Sequence, residues 1–164
     1  MLRALSTFMC TERSAGQVVQ PRKNLPDKKF LIDDLSDAVQ IKELESHRNI
    51  GLRTYKGYGC FNGRVTVLVS SDTSSVSEIF ASVMVHRPRS RVWGQPTAGD
   101  VLLAVWYDLP LLGPGYSFSI PEAEYITPDN VQLEGRGVLP QNELYFDLKI
   151  ARTGKDEWIE KARR

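Results

Sequence analysis

Small hydroxyl side chains are concentrated in the segment "SSDTSSVSE", which follows an apolar run and precedes a helix-like pattern. Ser75 lies just before the predicted first turn of that helix, where backbone N–H groups lack intrahelical partners and the helix dipole favours negative charge. A serine at such a place can act as a nucleophile in acyl transfer, because the N–H of the next residue, Val76, can donate to a developing oxyanion. The alternative is that Ser74 or Ser75 simply caps the helix.

Two further motifs follow, and each places a carboxylate beside a glycine. The segment "RVWGQPTAGD" ends at Asp100, and the segment "LEGRGVLPQ" contains Glu134. A carboxylate can orient a catalytic histidine, as in a serine triad, or it can be a surface group beside a turn. For Glu134 both interpretations stay open at the level of the residues alone.

Taken in order, the serine segment and these two motifs resemble the C-terminal-processing, or tail-specific, serine peptidase family. That family combines an apolar strand, a Ser-x-Ser-Glu-Ile/Leu turn, a Gly-x-Pro-Thr-x-Gly turn and a terminal Gly-Val-x-Pro signature. The resemblance covers residues 58–141, and three spaced motifs are far more specific than one. It implies an α/β, ClpP/crotonase-like fold, peptide or protein substrates, and no cofactor or metal.

Site residues follow from this resemblance by position. The family nucleophile falls on Ser75, three residues before Glu78, and the Val76 N–H takes the place of an oxyanion donor. Ser77 and Glu78 then resemble helix-start residues with a structural role. We therefore expect Ser75 and Glu134 to face one cleft, separated by the width of an imidazole ring.

One departure from the family pattern concerns the general base. The lysine that serves as base in the Ser/Lys branch is replaced here by Asp100, and a carboxylate is a poor substitute for a neutralised amine. Glu134 instead matches the glutamate of the tricorn-like Ser/His/Glu branch, which the chain resembles more closely. Asp100 is still expected near the same cleft.

The chain has two histidines, and neither is an obvious base. His86 stands at the far end of the helix that starts after Ser75, on the order of 15 Å away at 1.5 Å per residue, which is too far to accept the serine proton. His47, in "ESHRN", is interpreted first as a surface residue.

The resemblance begins late in the family domain. The family's Asp-Leu-Arg-x-Asn-x-Gly-Gly segment, whose glycine turn completes the oxyanion hole, is absent, and "MLRALSTF" resembles the helix that follows it. Residues 1–164 are therefore interpreted as a single, incomplete peptidase-like domain. We expect an unpaired sheet edge to be covered by homo-oligomerisation or by association with the missing N-terminal part.

Three functional hypotheses remain. The chain is a serine endopeptidase-type domain or fragment acting through an acyl-enzyme at Ser75, or a non-catalytic descendant that binds peptides or ligands. The third is that the α/β scaffold serves assembly only.

Composition narrows the remaining possibilities. The 164 residues, 41% of them hydrophobic, are enough for one domain with a core. The 21 basic and 20 acidic residues nearly cancel, which argues against a nucleic-acid partner. Cys10 and Cys60 lack zinc-site spacing and are interpreted as small buried hydrophobes. No signal peptide or membrane span is recognisable, and the compartment is not predicted.

The elements that must position the site form an alternating pattern. Residues 63–70 are apolar on both faces, as in a parallel strand, and a helix follows that ends before Pro88, then the short strand "RVWGQ". This order predicts a βαβ unit. Around it we predict helices over residues 2–10, from an N-cap at Ser36, and at the C-terminus. Short strands are predicted at "QVVQ", "LLAVWYDLP", "GYSFSIP", "EAEYITP" and "ELYFDLKIA".

Overall fold

The fold is that of an α/β domain with two sheets. A computed structural model describes residues 1–20, 26–29, 39, 42 and 46–163. The helix predicted from the N-cap at Ser36 falls largely outside these residues. In the described part of the chain, no helix is long and apolar enough to cross a membrane.

The smaller sheet carries the serine segment. Its parallel strands lie in the order β4 (Val65–Val69), β5 (Ser90–Gly94) and β8 (Asn142–Glu143). Helix α2 (Val76–Val85) connects the first two of these strands. The predicted βαβ unit is thereby confirmed, and within the described residues β4 has a partner on one side only.

The larger sheet is mixed and has the strand order β2, β3, β1, β7, β6. Its strands span the ranges β1 Ser14–Val19, β2 Lys28–Lys29, β3 Asn49–Arg53, β6 Leu103–Asp108 and β7 Ser117–Ile126. Only β2 and β3 are parallel; the other neighbours are antiparallel. "QVVQ" therefore lies in a strand, as predicted.

Two of the predicted C-terminal strands are in fact one. "GYSFSIP" and "EAEYITP" merge into β7. Pro121 does not break this strand because it pairs with Ala104 beside a register shift, in which Glu122 is the extra residue of β7 and a missing N–H is tolerated. The prediction of a strand over "ELYFDLKIA" was wrong beyond β8. Asp147 caps a short helix there, α3 (Leu148–Ala151), by accepting from the Lys149 N–H. Helix α4 (Glu157–Ala162) follows, close to the predicted C-terminal helix.

The two cysteines correct the sequence interpretation. They form a disulfide between Cys10, at the end of α1 (Leu2–Met9), and Cys60, which is exposed. The two cysteines are close because of long-range contacts, which their spacing in the sequence does not reveal. The Thr7 hydroxyl donates to the Tyr58 carbonyl, and the Phe61 N–H donates to the Thr7 carbonyl, so α1 and this loop lie side by side.

Arg87 strengthens the same junction from the other end of α2. Its guanidinium, in a residue that is almost fully buried, donates to the carbonyls of Phe8 at 2.7 Å and Phe61 at 2.6 Å, and also to those of Gly63 and Pro88. These are charge-assisted hydrogen bonds. The helix that follows Ser75 is therefore anchored at its C-terminal end to α1 and to the loop preceding β4.

Candidate active site

Ser75 occupies the N-cap position of α2, directly after the turn that leaves β4. The sequence prediction that Ser75 precedes the first helical turn is confirmed. Its backbone has φ 57° and ψ −131°, a region that residues with a side chain rarely adopt. Such strained backbone is concentrated at functional sites, and a serine on a tight strand-to-helix turn exposes its hydroxyl. The residue is exposed here.

Glu78, fully buried in the first turn of α2, holds this strained turn in place. Its carboxylate accepts four hydrogen bonds. One oxygen accepts from the N–H of Ser75 at 3.1 Å and of Asp100 at 3.0 Å. The other accepts from the Thr97 hydroxyl at 2.5 Å and the Gly99 N–H at 2.8 Å. A buried carboxylate needs this number of donors to offset its desolvation.

Thr97 links this network to the third motif. Its hydroxyl, while donating to Glu78, accepts from the Val138 N–H at 2.7 Å. A side chain at Gly137 would collide with the Thr97 backbone, since its first carbon would lie 2.4 Å from that carbonyl oxygen. The three motifs recognised in the sequence therefore meet at the N-terminus of α2.

The peptide group between Asp100 and Val101 joins the two candidate catalytic residues. The Ser75 N–H donates to the Asp100 carbonyl at 2.9 Å, and the Val101 N–H donates to a Glu134 carboxylate oxygen at 2.7 Å. With standard peptide dimensions, the Ser75 nitrogen and the Glu134 oxygen lie at most about 8 Å apart. Asp100 contacts Ser75 through its backbone carbonyl and has an exposed side chain.

The Val76 N–H is placed to serve as an oxyanion donor. It belongs to the first residue of α2, which is 51% exposed. Among the described residues this N–H has no acceptor, whereas the next two N–H groups, of Ser77 and Glu78, donate to the carbonyls of Ser74 and Ser75. An unpaired N–H at a helix N-terminus can stabilise negative charge.

Neither histidine lies at the serine turn. His86 caps the opposite end of α2, is largely exposed, and faces Asp129 at 3.7 Å. Its predicted exclusion as a base is supported, because the helix length separates it from Ser75. The Thr127 hydroxyl and, to a smaller extent, His86 lower the pKa of Asp129. His47 is half-buried just before β3, in the other sheet.

Two clefts border the serine turn. One, of about 510 Å³, is lined by Ser74, Val76 and Ser77 together with Met1 and other residues of β4 and α2. The other, of about 680 Å³, lies between the turn and the C-terminal helices. Neither of these two clefts is lined by Ser75, Asp100 or Glu134, and the expectation that Ser75 and Glu134 face one cleft stays a prediction. In the described residues, no group of three or more His, Cys, Asp or Glu side chains is arranged to hold a metal ion.

A strained serine at a helix N-terminus, held by a buried carboxylate in an α/β fold, indicates a domain of the serine-peptidase class. Comparison with known families agrees: residues 11–144 match the model of peptidase family S41, and the chain belongs to this family.

The chain is also similar to individual proteins. The chain is 31% identical over 80 residues to carboxyl-terminal-processing peptidase 2 of Arabidopsis thaliana, a chloroplastic protein, covering 49% of this chain and 15% of that one. The structure of the present chain resembles that of mature CPAF, with a TM-score of 0.69 and 14% identity; the match covers 98% of this chain and 39% of that one. It also resembles the photosystem II D1 C-terminal processing protease (TM-score 0.57, 20% identity, 87% and 30%).

These likenesses confirm the predicted α/β fold. The chain spans less than half of the length of each of these proteins. The matched range 11–144 includes the motif-bearing residues 58–141, while the prediction of a single incomplete domain over 1–164 stays a prediction.

Sequence reasoning missed the extent of the Glu78 network. Glu78 was interpreted as structural, but its contacts with Thr97, Gly99 and Asp100 were not foreseen. A signal was available, since serine followed three residues later by glutamate is the spacing of a capping box. The structure shows the half of this box in which the Ser75 N–H donates to the Glu78 carboxylate.

Proposed function

We propose that the chain contributes the nucleophile of a serine endopeptidase-type domain acting on peptides or proteins. Ser75 is the nucleophile, the Val76 N–H is an oxyanion donor, and Glu134 orients a histidine, as in the tricorn-like branch. The observation that carries the proposal is the strained Ser75 backbone at the start of α2, with the Val76 N–H unpaired among the described residues.

The chemistry follows acyl transfer. The Ser75 hydroxyl oxygen attacks the peptide carbonyl carbon while a base takes its proton, and the Val76 N–H donates to the resulting oxyanion. The same base then gives the proton to the leaving amine, leaving an acyl-enzyme that water hydrolyses. Glu78 touches no reacting atom; it holds the N–H groups of Ser75 and Asp100 in position.

Neither histidine of the chain is placed to act as the general base at the serine turn. His86 lies at the other end of α2, and Asp100 is a carboxylate where the Ser/Lys branch has lysine. We therefore propose that a histidine reaches Ser75 and Glu134 when the chain associates with the remaining part of its domain. The chain alone is expected to hydrolyse peptides very weakly or not at all, since a positioned base contributes about 10²–10⁴-fold.

The second candidate function is the binding of peptides or other ligands by a non-catalytic descendant of the family. The observation that favours it is the aspartate at position 100, which by resemblance stands where the Ser/Lys branch has its lysine. Such a protein would use the clefts beside α2 without forming an acyl-enzyme.

Fluorophosphonate labelling separates the two functions. The full chain, its Ser75→Ala variant and the matched control Ser77→Ala are compared, alone and in an extended chain that includes the upstream part. We expect Ser75-dependent labelling that is strong only in the extended chain. Peptide binding without labelling of either form would favour the non-catalytic descendant. Strong labelling of the short chain would contradict the missing base, and His47→Ala would then be tested first.

A further inference from the structure

The strands β6 and β7 continue beyond the sheet as a two-stranded ribbon. Strand β1 pairs with β7 only from Glu124 to Ile126, whereas the residues from Ser117 to Ala123 pair with β6 alone among the described strands. We call residues 104–121 the arm. At about 3.3 Å per residue, the arm projects on the order of 20 Å beyond β1. A two-stranded hairpin of this kind is marginally stable in water without a packing partner.

Most of the exposed side chains of the arm are apolar, and Asp108, Ser117 and Ser119 are the exposed polar ones. At its tip, Leu111 is 99% exposed and Leu112 is 63% exposed, and Tyr116 and Trp106 are 60% and 69% exposed behind them. Further back, the rings of Tyr107 and Phe118 pack against each other with centroids 5.6 Å apart. From the tip towards the base of the arm, aliphatic side chains therefore come first and aromatic side chains second. Membrane proteins show the same order from the bilayer core to its interface with water.

Hydrogen bonding at the tip also suits a medium poor in water. Pro110 and Pro114 have no N–H, and the N–H groups of Leu109, Leu112 and Gly113 donate to carbonyls within residues 109–116. Few backbone donors therefore need solvent when the tip leaves water, where an unsatisfied group would be costly.

The charges on the arm and at its base limit the kinds of lipid surface that the arm can contact. Asp108 is the single charged residue in the arm, and no lysine or arginine occurs between Arg91 and Arg136. Glu122 and Glu124 flank its base. The uncharged tip is compatible with a bilayer, whereas the acidic base would be repelled by anionic lipid, so contact is expected to depend on apolar insertion and not on lipid charge.

We propose that the arm inserts shallowly into the interface of a zwitterionic lipid bilayer, with Leu111 and Leu112 at the acyl boundary and the aromatic residues at the headgroups. Interfacial segments of this type penetrate about 5–10 Å. Asp108 remains at headgroup level beside Trp106, two residues away on the same face of β6. The proposal does not rest on the chemistry proposed for Ser75.

Vesicle co-sedimentation of the full chain tests the proposal. We expect binding to phosphatidylcholine vesicles that is unchanged by high salt and weaker when phosphatidylglycerol is added. The Leu111→Ser/Leu112→Ser variant should bind about tenfold less. The matched control Leu139→Ser/Leu148→Ser removes two leucines that are 61% and 54% exposed elsewhere, and it should bind like the unchanged chain. The Ser75→Ala variant should also bind normally.

A second measurement reports the depth of insertion. Phospholipids brominated near the headgroup should quench tryptophan emission in the unchanged chain and in Trp158→Phe, but not in Trp106→Phe. Equal binding by the Leu111→Ser/Leu112→Ser variant, or no binding to phosphatidylcholine, overturns the proposal. If sedimentation shows instead a dimer that this variant dissociates, with no vesicle binding, the arm binds a second copy of the chain and the lipid proposal is wrong.

Discussion

The Ser75 N–H donates to the Asp100 carbonyl at 2.9 Å, and the same peptide group presents the Val101 N–H to Glu134. The spacing between the proposed nucleophile and the proposed orienting carboxylate therefore depends on one planar peptide unit. Residues that hold this peptide in place should matter as much as the residues that perform chemistry.

Replacement of Glu78 by glutamine should destabilise the domain. The amide keeps the shape but turns one acceptor oxygen into a donor facing two buried donors, which we expect to cost about 2–5 kcal/mol. Urea unfolding of Glu78→Gln measures the loss, and the exposed Glu160→Gln is the control. Equal midpoints for the two variants would show that the network contributes nothing.

Gly94 should not tolerate a side chain. An added Cβ would lie 1.8 Å from the Val69 carbonyl oxygen, and φ is 134°. The control is Gly113→Ala, where φ is 107° but nothing lies within 4 Å of the added carbon. Both variants carry backbone strain, so the difference between them isolates the collision of β5 with β4. We expect Gly94→Ala to lose at least about 2 kcal/mol more in thermal unfolding. Comparable melting temperatures would refute the close approach.

Stability should decrease at high pH because of Tyr125. Burial raises the pKa of this phenol to about 12, and its hydroxyl donates to the Ala15 carbonyl at 3.0 Å. Above pH of about 10 the unfolded chain loses this proton while the folded chain keeps it, so the free energy of unfolding falls until pH of about 12.

The expected decrease is about 2–3 kcal/mol across that interval. Urea midpoints measured on both sides of pH 10 report it. Tyr125→Phe should remove this component, whereas Tyr116→Phe, at an exposed tyrosine, should keep it. An identical pH dependence in all three proteins would exclude Tyr125 as its source.

The Cys10–Cys60 disulfide should stabilise the domain. It closes a loop with a sequence separation of 50, for which constraint of the unfolded chain gives about 2–4 kcal/mol. A reducing agent should lower the urea midpoint of the unchanged chain and leave that of Cys10→Ser/Cys60→Ser unaltered. No effect of reductant on either protein would indicate that the Arg87 contacts alone hold this junction.

Local signals predicted the part of the site that depends on neighbouring residues. The apolar strand, the serine turn and the amphipathic helix after Ser75 agree with one another along the chain, so the βαβ unit was predictable. The position of Glu134 near Ser75 was expected only through the resemblance. The bridging peptide was not foreseen, because it arises where separate turns pack.

Long-range contacts explain the errors. Nothing in the spacing of Cys10 and Cys60 shows that α1 lies against the loop before β4; that contact depends on Arg87, far along the chain. Pro121 was interpreted as a strand end because its missing N–H is a local fact, whereas the register shift beside it, at Glu122, arises only from the pairing of β7 with β6. The catalytic roles of Ser75 and Glu134 stay predictions.

The Cys10–Cys60 bond also changes the covalent topology of the molecule. It makes a ring of the chain that includes β1, the central strand of the larger sheet, and β3 beside it. A single backbone cleavage within this ring leaves one covalent molecule, which separates into two fragments only after the disulfide is reduced. A nicked chain would thus keep its central strands covalently attached to the rest of the molecule, each through one end, and the two parts would separate only when cleavage and reduction coincide.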